Sequence, residues 1–322
     1  MRSIQTQDHF PLSSVKPLDG VLGYRHRCLE ATSAALRGTV RHRERSPIGG
    51  TLAPCGDIGG LSYGRCAEGG GLFLMSLPEP AAWARLLADV NRLRHSPETF
   101  HANLAHSRTD HVYAPKLEWI RDTLRLQEVV RPRLLEVVTP PSDFTRLLQE
   151  SGACADVWTA DEADLRTGAA QPPGGKPVDA ALLLESLDRS DDPAALVTGV
   201  ARRLSPGGLL FVTALVASGF DMTVLGLRNL YLCPPDRANC FSLTGLNTLL
   251  TRGDFELLEV STPGVLDVEI VRAHAQHDPS LVLSPFERQI VGAEPDTQAA
   301  FQSFLQQQGL SSFARIVARK QP

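Results

Sequence analysis

Residues 134–152 read LLEVVTPPSDFTRLLQESG: an apolar strand, a turn, then an amphipathic stretch stopped by Gly152. Strand–turn–helix units of this kind build parallel α/β sheets. A unit that receives a nucleotide-like cofactor normally has glycines in its turn, because the ligand touches backbone where a Cβ would collide. This turn has none. Val138, Pro140 and Ser142 stand in those places, with Thr139 between, and Pro140 also removes an N–H donor and stiffens the chain.

Working outward, ADVWTAD supplies a second strand and AQPPGGKP a surface loop. DAALLLES and GLLFVTAL read as buried strands, the second entered through a Pro-Gly-Gly turn. FELLEVSTPG and ARIVARK are candidates for an antiparallel pair at the sheet edge, and SLTGLNTLLTRG for a helix with a Ser242 cap and a stop at Gly253. Upstream, Trp83, Leu86, Leu87, Val90 and Leu93 fall at helical spacing, as do Leu117, Ile120, Leu124 and Leu126. APCGDIGGLSYGRCAEGGGLFLM predicts a tight hairpin with strands LSYGRC and GLFLM. Residues 1–50 show few apolar repeats and predict an arm or loosely ordered lobe.

These phrases together resemble the class I S-adenosylmethionine-dependent methyltransferases, whose pattern is LLDxGxGxG, an acid after the second strand, FDxxxxxxxxEHxxDP and LxPGGxLxxxxP. Here the pieces are LLEVVTPPS, then Asp161 and Glu162, then VDAALLLESLDRSDDP, then LSPGGLLFVTA. PPDRANCFS and the tail through ARIVARK resemble a subgroup associated with bacterial surface-sugar and natural-product pathways, where the loop commonly reads PPxHxNFFS. The likeness runs over residues 60–320.

The resemblance implies a Rossmann-like α/β fold: a mostly parallel, seven-stranded-type sheet flanked by helices, with a small N-terminal lobe. It divides the chain into an arm and hairpin lobe (1–78), a helical cap (79–131) and the Rossmann-like domain (132–322). It implies S-adenosylmethionine as the cofactor. Glu136, Val138, Thr139, Pro140, Ser142 and Glu185 would lie at positions equivalent to the family's cofactor site, the loop at its methionine part, and Asp161 or Glu162 at the ribose hydroxyls. The glycine-free loop argues against the usual pose. Where the family has EH, this chain has Asp188 and Arg189; where it has PPxH, it has Asp236 and Arg237. A guanidinium cannot act as a base, so Arg189, Arg237 and Asn239 are candidate cleft residues without an assigned step. Three functions remain open: a non-catalytic partner or scaffold, an active methyltransferase on a sugar or natural-product hydroxyl, and a binder of an anionic metabolite through Arg189 and Arg237. An active methyltransferase, another biosynthetic enzyme or a second copy of the chain are the partners these readings suggest.

Related methyltransferases often begin with a CxxC…CxxC zinc module. Here Gly69 stands where the partner of Cys66 would be, and nothing pairs with Cys55, so no metal is expected. The six cysteines read as buried thiols. His95, His101, His106 and His111 are irregularly spaced and read as exposed polar positions. At 322 residues, 43% hydrophobic and net charge −4, the chain gives no electrostatic reason to propose nucleic acid. No apolar run approaches the ~20 residues a bilayer needs, and a cytoplasmic protein is expected.

Overall fold

The computed structural model describes residues 9–97, 99–138 and 142–322. Twelve strands are present among them: β1 Val40–His42, β2 Leu52–Ile58, β3 Leu61–Cys66, β4 Leu72–Leu74, β5 Ser76–Pro78, β6 Arg133–Val137, β7 Asp156–Ala160, β8 Val178–Leu184, β9 Leu204–Leu215, β10 Asn239–Cys240, β11 Phe255–Ser261 and β12 Phe313–Lys320. Six form the main sheet, in the order β11-β12-β9-β8-β6-β7. β7, β6, β8 and β9 run parallel, while β12 is antiparallel to both β9 and β11.

The side-chain period of two assigns each face. Ala180 and Leu182 of β8 point into a layer with Phe211, Leu134, Phe144 and Leu148, covered by the helices Ala114–Leu126 and Asp143–Glu150. Ala181 and Leu183 point the other way, against Leu196, Val200, Leu246 and Leu250 from the helices Pro193–Ala201 and Leu243–Arg252. Burial on both faces explains why β8 reads as an unbroken apolar run. Both expected helix signals of 243–252 hold: Ser242 Oγ accepts from Gly245 N at 2.9 Å, and the helix stops at Gly253.

The sheet has six strands where seven were expected. Between β7 and β8 the chain forms only the helix Glu162–Thr167 and a short turn at Pro173–Gly175. A further parallel strand needs a crossover of about a dozen residues on each side, and this segment cannot supply two.

The expected hairpin is β3 with β4, joined on one edge by β2 and on the other by β10 from far along the chain. Contrary to the reading of residues 1–50 as an arm, Leu18–Ala35 forms an 18-residue helix that buries Tyr24 and Cys28 against Trp83, Leu86 and Val90 of the helix Pro80–Arg94. Val21, Tyr24 and Cys28 make a narrow stripe, and Gly20 lets Phe100 approach to 2.7 Å of where a Cβ would stand. Five cysteines are buried and Cys55 is exposed, again unlike the expectation. No helix among the described residues is long and apolar enough to cross a membrane.

Candidate functional site

Above the carboxyl ends of β6 and β8 lies a cavity of about 340 Å³. This is where open α/β sheets place ligands. Glu136, Val138, Ser142 and Glu185 line its sheet side; Lys16, Arg94 and Lys116 come from the N-terminal segment and the covering helices. Eight lysines and arginines line it against five carboxylates.

Glu136 and Ser142 are locked to each other. Ser142 Oγ accepts from Thr145 N at 3.1 Å while Ser142 N donates to Thr145 Oγ1 at 2.8 Å, a capping box that starts the helix Asp143–Glu150. Thr145 Oγ1 then donates to Glu136 Oε2 at 2.6 Å, and Ser142 Oγ to Oε1 at 3.4 Å. Burial raises the Glu136 carboxyl, with these hydroxyls and Lys116 opposing. The positions Thr139 and Pro140 lie outside the described residues.

Glu185 follows β8 with φ 60°, a left-handed conformation unusual for a side-chain-bearing residue. Arg237 Nη2 donates to its Oε2 at 2.5 Å, and Arg237 Nη1 lies 3.3 Å from Asp188 Oδ2. Against the cost of burial, Arg237, Lys116 and Arg189 hold the Glu185 carboxyl well below the usual range. Arg237, expected to face a ligand, is therefore committed to two carboxylates of its own chain. Arg189 reaches the cavity and, among the described residues, donates to the carbonyls of Glu185 at 3.2 Å and Leu184 at 3.1 Å. Its own carbonyl accepts from Trp83 Nε1 at 2.9 Å, which ties the helix Pro80–Arg94 to the site. Asn239 is not in the cleft: it is fully buried in β10, donates to Leu187 and Ser190 carbonyls at 2.8 and 2.7 Å, and accepts from Arg43 at 2.7 Å.

The two acids after β7 also face elsewhere. Asp161 caps the helix Glu162–Thr167, its Oδ1 accepting from Ala163 N at 2.7 Å. Glu162 accepts from Ser190 Oγ and lies 3.4 Å from Arg166, which also binds Asp191. Neither lines the cavity.

Sequence reasoning missed several groups. Lys116 sits on the buried stripe of its helix beside Leu117 and Ile120, and a charged residue inside an apolar period was the available signal. Lys16 and the Tyr24–Asp236–Arg94 cluster have no sequence signal, since 142 residues separate Arg94 from Asp236. His101 and His111 are half-buried walls of the cavity, not exposed positions: His101 stacks on Phe100 at 3.9 Å, and burial pushes it down to about 3. Among the described residues no group of three or more His, Cys, Asp or Glu is arranged to hold a metal ion.

Burial pushes Glu162, Asp188 and Asp221 up to about 7. Each binds its proton more tightly folded than unfolded, so the folded state holds more protons between their ordinary values and about 7. Stability is therefore expected to fall as pH rises from about 5 to about 7.5. The depressed carboxyls of Glu185 and Asp236 act in the opposite sense, at more acid pH. Asp221→Asn removes the titrating carboxyl at the cost of one of its two acceptors for Met222 N and Asn229 Nδ2, and should flatten the fall in melting midpoint with pH by a few degrees. An unchanged pH profile in that variant would show that Asp221 does not titrate in this window.

Residues 113–260 match the family model described as a methyltransferase domain. No curated protein matches the chain. Among solved structures, it is similar to the Burkholderia thailandensis 1,6-didemethyltoxoflavin-N1-methyltransferase, seen with its substrate and S-adenosylhomocysteine. The identity is 13% over 84% of this chain and 99% of that one, at a TM-score of 0.45. It is also similar to an S-adenosylmethionine-dependent methyltransferase from Mesorhizobium loti, at 18% identity over 63% of this chain and 98% of that one, with a TM-score of 0.36. The chain thus has a Rossmann-like α/β fold of the kind methyltransferases share, and residues 113–260 match a methyltransferase domain.

The fold implies S-adenosylmethionine, which carries a ribose diol and a cationic sulfonium. The acids expected at the diol, Asp161 and Glu162, are spent on a helix cap and on Ser190 and Arg166. A sulfonium at the β6 and β8 ends would enter beside the cations Lys116 and Arg189, which repel it, as well as beside the carboxylates Glu136 and Glu185. Among the described residues, neither acid expected at the diol lines the cavity.

Proposed function

We propose that this chain is a methyltransferase-fold protein that does not transfer methyl groups and acts as a partner or scaffold for an active enzyme of a biosynthetic pathway. The observation that carries this reading is the diversion of both acids after β7 into structural bonds outside the cavity. Arg189, a permanent cation, at a position where the resemblance implies an imidazole agrees with it. A partner surface is supported by Leu126 and Val130, 75% and 86% exposed at the end of the helix Ala114–Leu126.

Mass spectrometry of the supernatant after denaturing purified protein is expected to find neither S-adenosylmethionine nor S-adenosylhomocysteine. A tagged chain should co-purify a glycine-loop methyltransferase or another biosynthetic enzyme. Near-stoichiometric S-adenosylhomocysteine carried through purification would sink this reading.

A further inference from the structure

Sorting the cations of the cavity by partner separates two groups. Arg237 is matched by Glu185 and Asp188, and Arg94 by Asp236. Arg25 is spent on the carbonyls of Leu230 and Leu232, each at 2.9 Å. Lys16, Lys116 and Arg189 have no carboxylate within salt-bridge distance among the described residues, nor do Arg108 and Arg315, which lie over the rings of Tyr113 and Trp119. Lys16 Nζ lies 4.2 Å from the centroid of the Tyr231 ring, and Lys116 Nζ 5.7 Å from that of Phe144. Lys116 is only 5% exposed. A lysine in a packed helix face can carry its ammonium to bulk water along its flexible stem, but this one ends in the cavity.

Isolated buried charges are expensive, and replacing them by apolar groups of the same size is often neutral or stabilising. Burial pushes both Lys16 and Lys116 down to about 8, which records that cost. Lys16, Lys116, Arg189 and Arg237 all line this one cavity, and Glu185, the carboxylate at the end of β8, is already satisfied by Arg237. The cavity is left with more cations than carboxylates in its lining and with N–H donors on Lys16, Lys116 and Arg189 that no described carboxylate takes.

We infer that this cavity binds a small phosphate monoester with an apolar or aromatic body, its phosphate held by Lys16, Lys116 and Arg189. A dianion matches an excess of cations that a single carboxylate would leave uncompensated. Two ammonium point charges and a guanidinium are donors suited to phosphate oxygens. Phe144, Tyr113, Tyr231 and Phe10 supply the apolar wall, and about 340 Å³ admits a molecule of one or two rings. The site replaces the expected grip of Arg189 with Arg237 by one in which Arg237 is a structural lock. It does not depend on the absence of methyl transfer, because an anionic molecule in the same cavity could equally be an acceptor.

Titration calorimetry at low salt with phenyl phosphate, inorganic phosphate, benzoate and S-adenosylhomocysteine tests this. Phenyl phosphate is expected to bind saturably at one site and more tightly than either benzoate or inorganic phosphate. Lys116→Met and Lys16→Met should each weaken it by roughly tenfold or more. Lys116→Arg should retain most of the binding, and Lys116→Met should melt no lower than the parent, which confirms that it folds. The inference is overturned if phenyl phosphate shows no saturable binding, if benzoate binds as well, or if the lysine variants bind unchanged. A lower melting midpoint for Lys116→Met with unchanged binding assigns that lysine to packing and likewise overturns it. Saturable binding of S-adenosylhomocysteine would count against the non-catalytic reading while leaving the phosphate result to stand or fall separately.

Discussion

Arg237→Met is expected to lower stability by about 3–5 kcal/mol, measured as a reduced urea midpoint with unchanged slope. The guanidinium bridges Glu185 at 2.5 Å and Asp188 at 3.3 Å. Asp188 is wholly buried, its Oδ2 accepting also from Leu215 N at 2.9 Å and its Oδ1 without a partner. Removing the cation strands Asp188 and leaves Glu185 with Lys116 and Arg189 alone, at the carboxyl end of β8, where Glu185 already holds a left-handed backbone. Neutralising them as well, in Arg237→Met with Glu185→Gln and Asp188→Asn, should recover part of the loss, since the damage comes from unpaired charge. A loss under about 1 kcal/mol for the single variant would mean that Arg237 is not a lock.

Asp236→Ala should cost about 2–4 kcal/mol and act locally. Asp236 accepts from Tyr24 at 2.7 Å and from Arg94 at 2.5 Å, joining the helices Leu18–Ala35 and Pro80–Arg94 to the loop that carries Arg237. Arg94 foremost holds the Asp236 carboxyl down to about 2, against burial. Neither member of this pair is wholly buried, whereas Asp188 beside Arg237 is, which is why the expected cost is below that of Arg237→Met. Amide exchange should rise in residues 18–35 and 80–94 and stay unchanged in β8 and β9. Uniform protection across the two helices in the variant would show that Asp236 does not fasten them.

The strands of the main sheet were legible because their signals are local. LLEVV, DAALLLES and GLLFVTAL are apolar runs bounded by turns, and the antiparallel β11–β12 pair followed from two more such runs. The strand count failed where the family pattern outran the chain: the 17 residues between β7 and β8 hold only a six-residue helix and a turn. The helix Leu18–Ala35 was missed because its buried stripe is narrow and includes a cysteine and a tyrosine in place of large aliphatics.

The candidate site was legible in part. Glu136, Val138, Ser142, Glu185, Arg189 and Arg237 do meet at one cavity, since each stands at the end of a strand or in a loop above the sheet. Asp161 and Glu162 were placed correctly along the chain, but where a carboxylate points depends on its neighbours. Ala163 N holds the first, and Ser190 with Arg166 holds the second. The partners of Arg237 and Arg94 lie 52 and 142 residues away, distances over which sequence spacing carries no geometry.

Titration of the purified protein with S-adenosylhomocysteine by calorimetry, alongside its melting midpoint, bears most directly on whether this chain binds the ligand its fold implies. With both acids engaged in structural bonds and cations where the sulfonium would sit, no saturable heat and no rise in midpoint are expected up to millimolar ligand. One-site binding in the micromolar range, with a midpoint that climbs with ligand concentration, would contradict it.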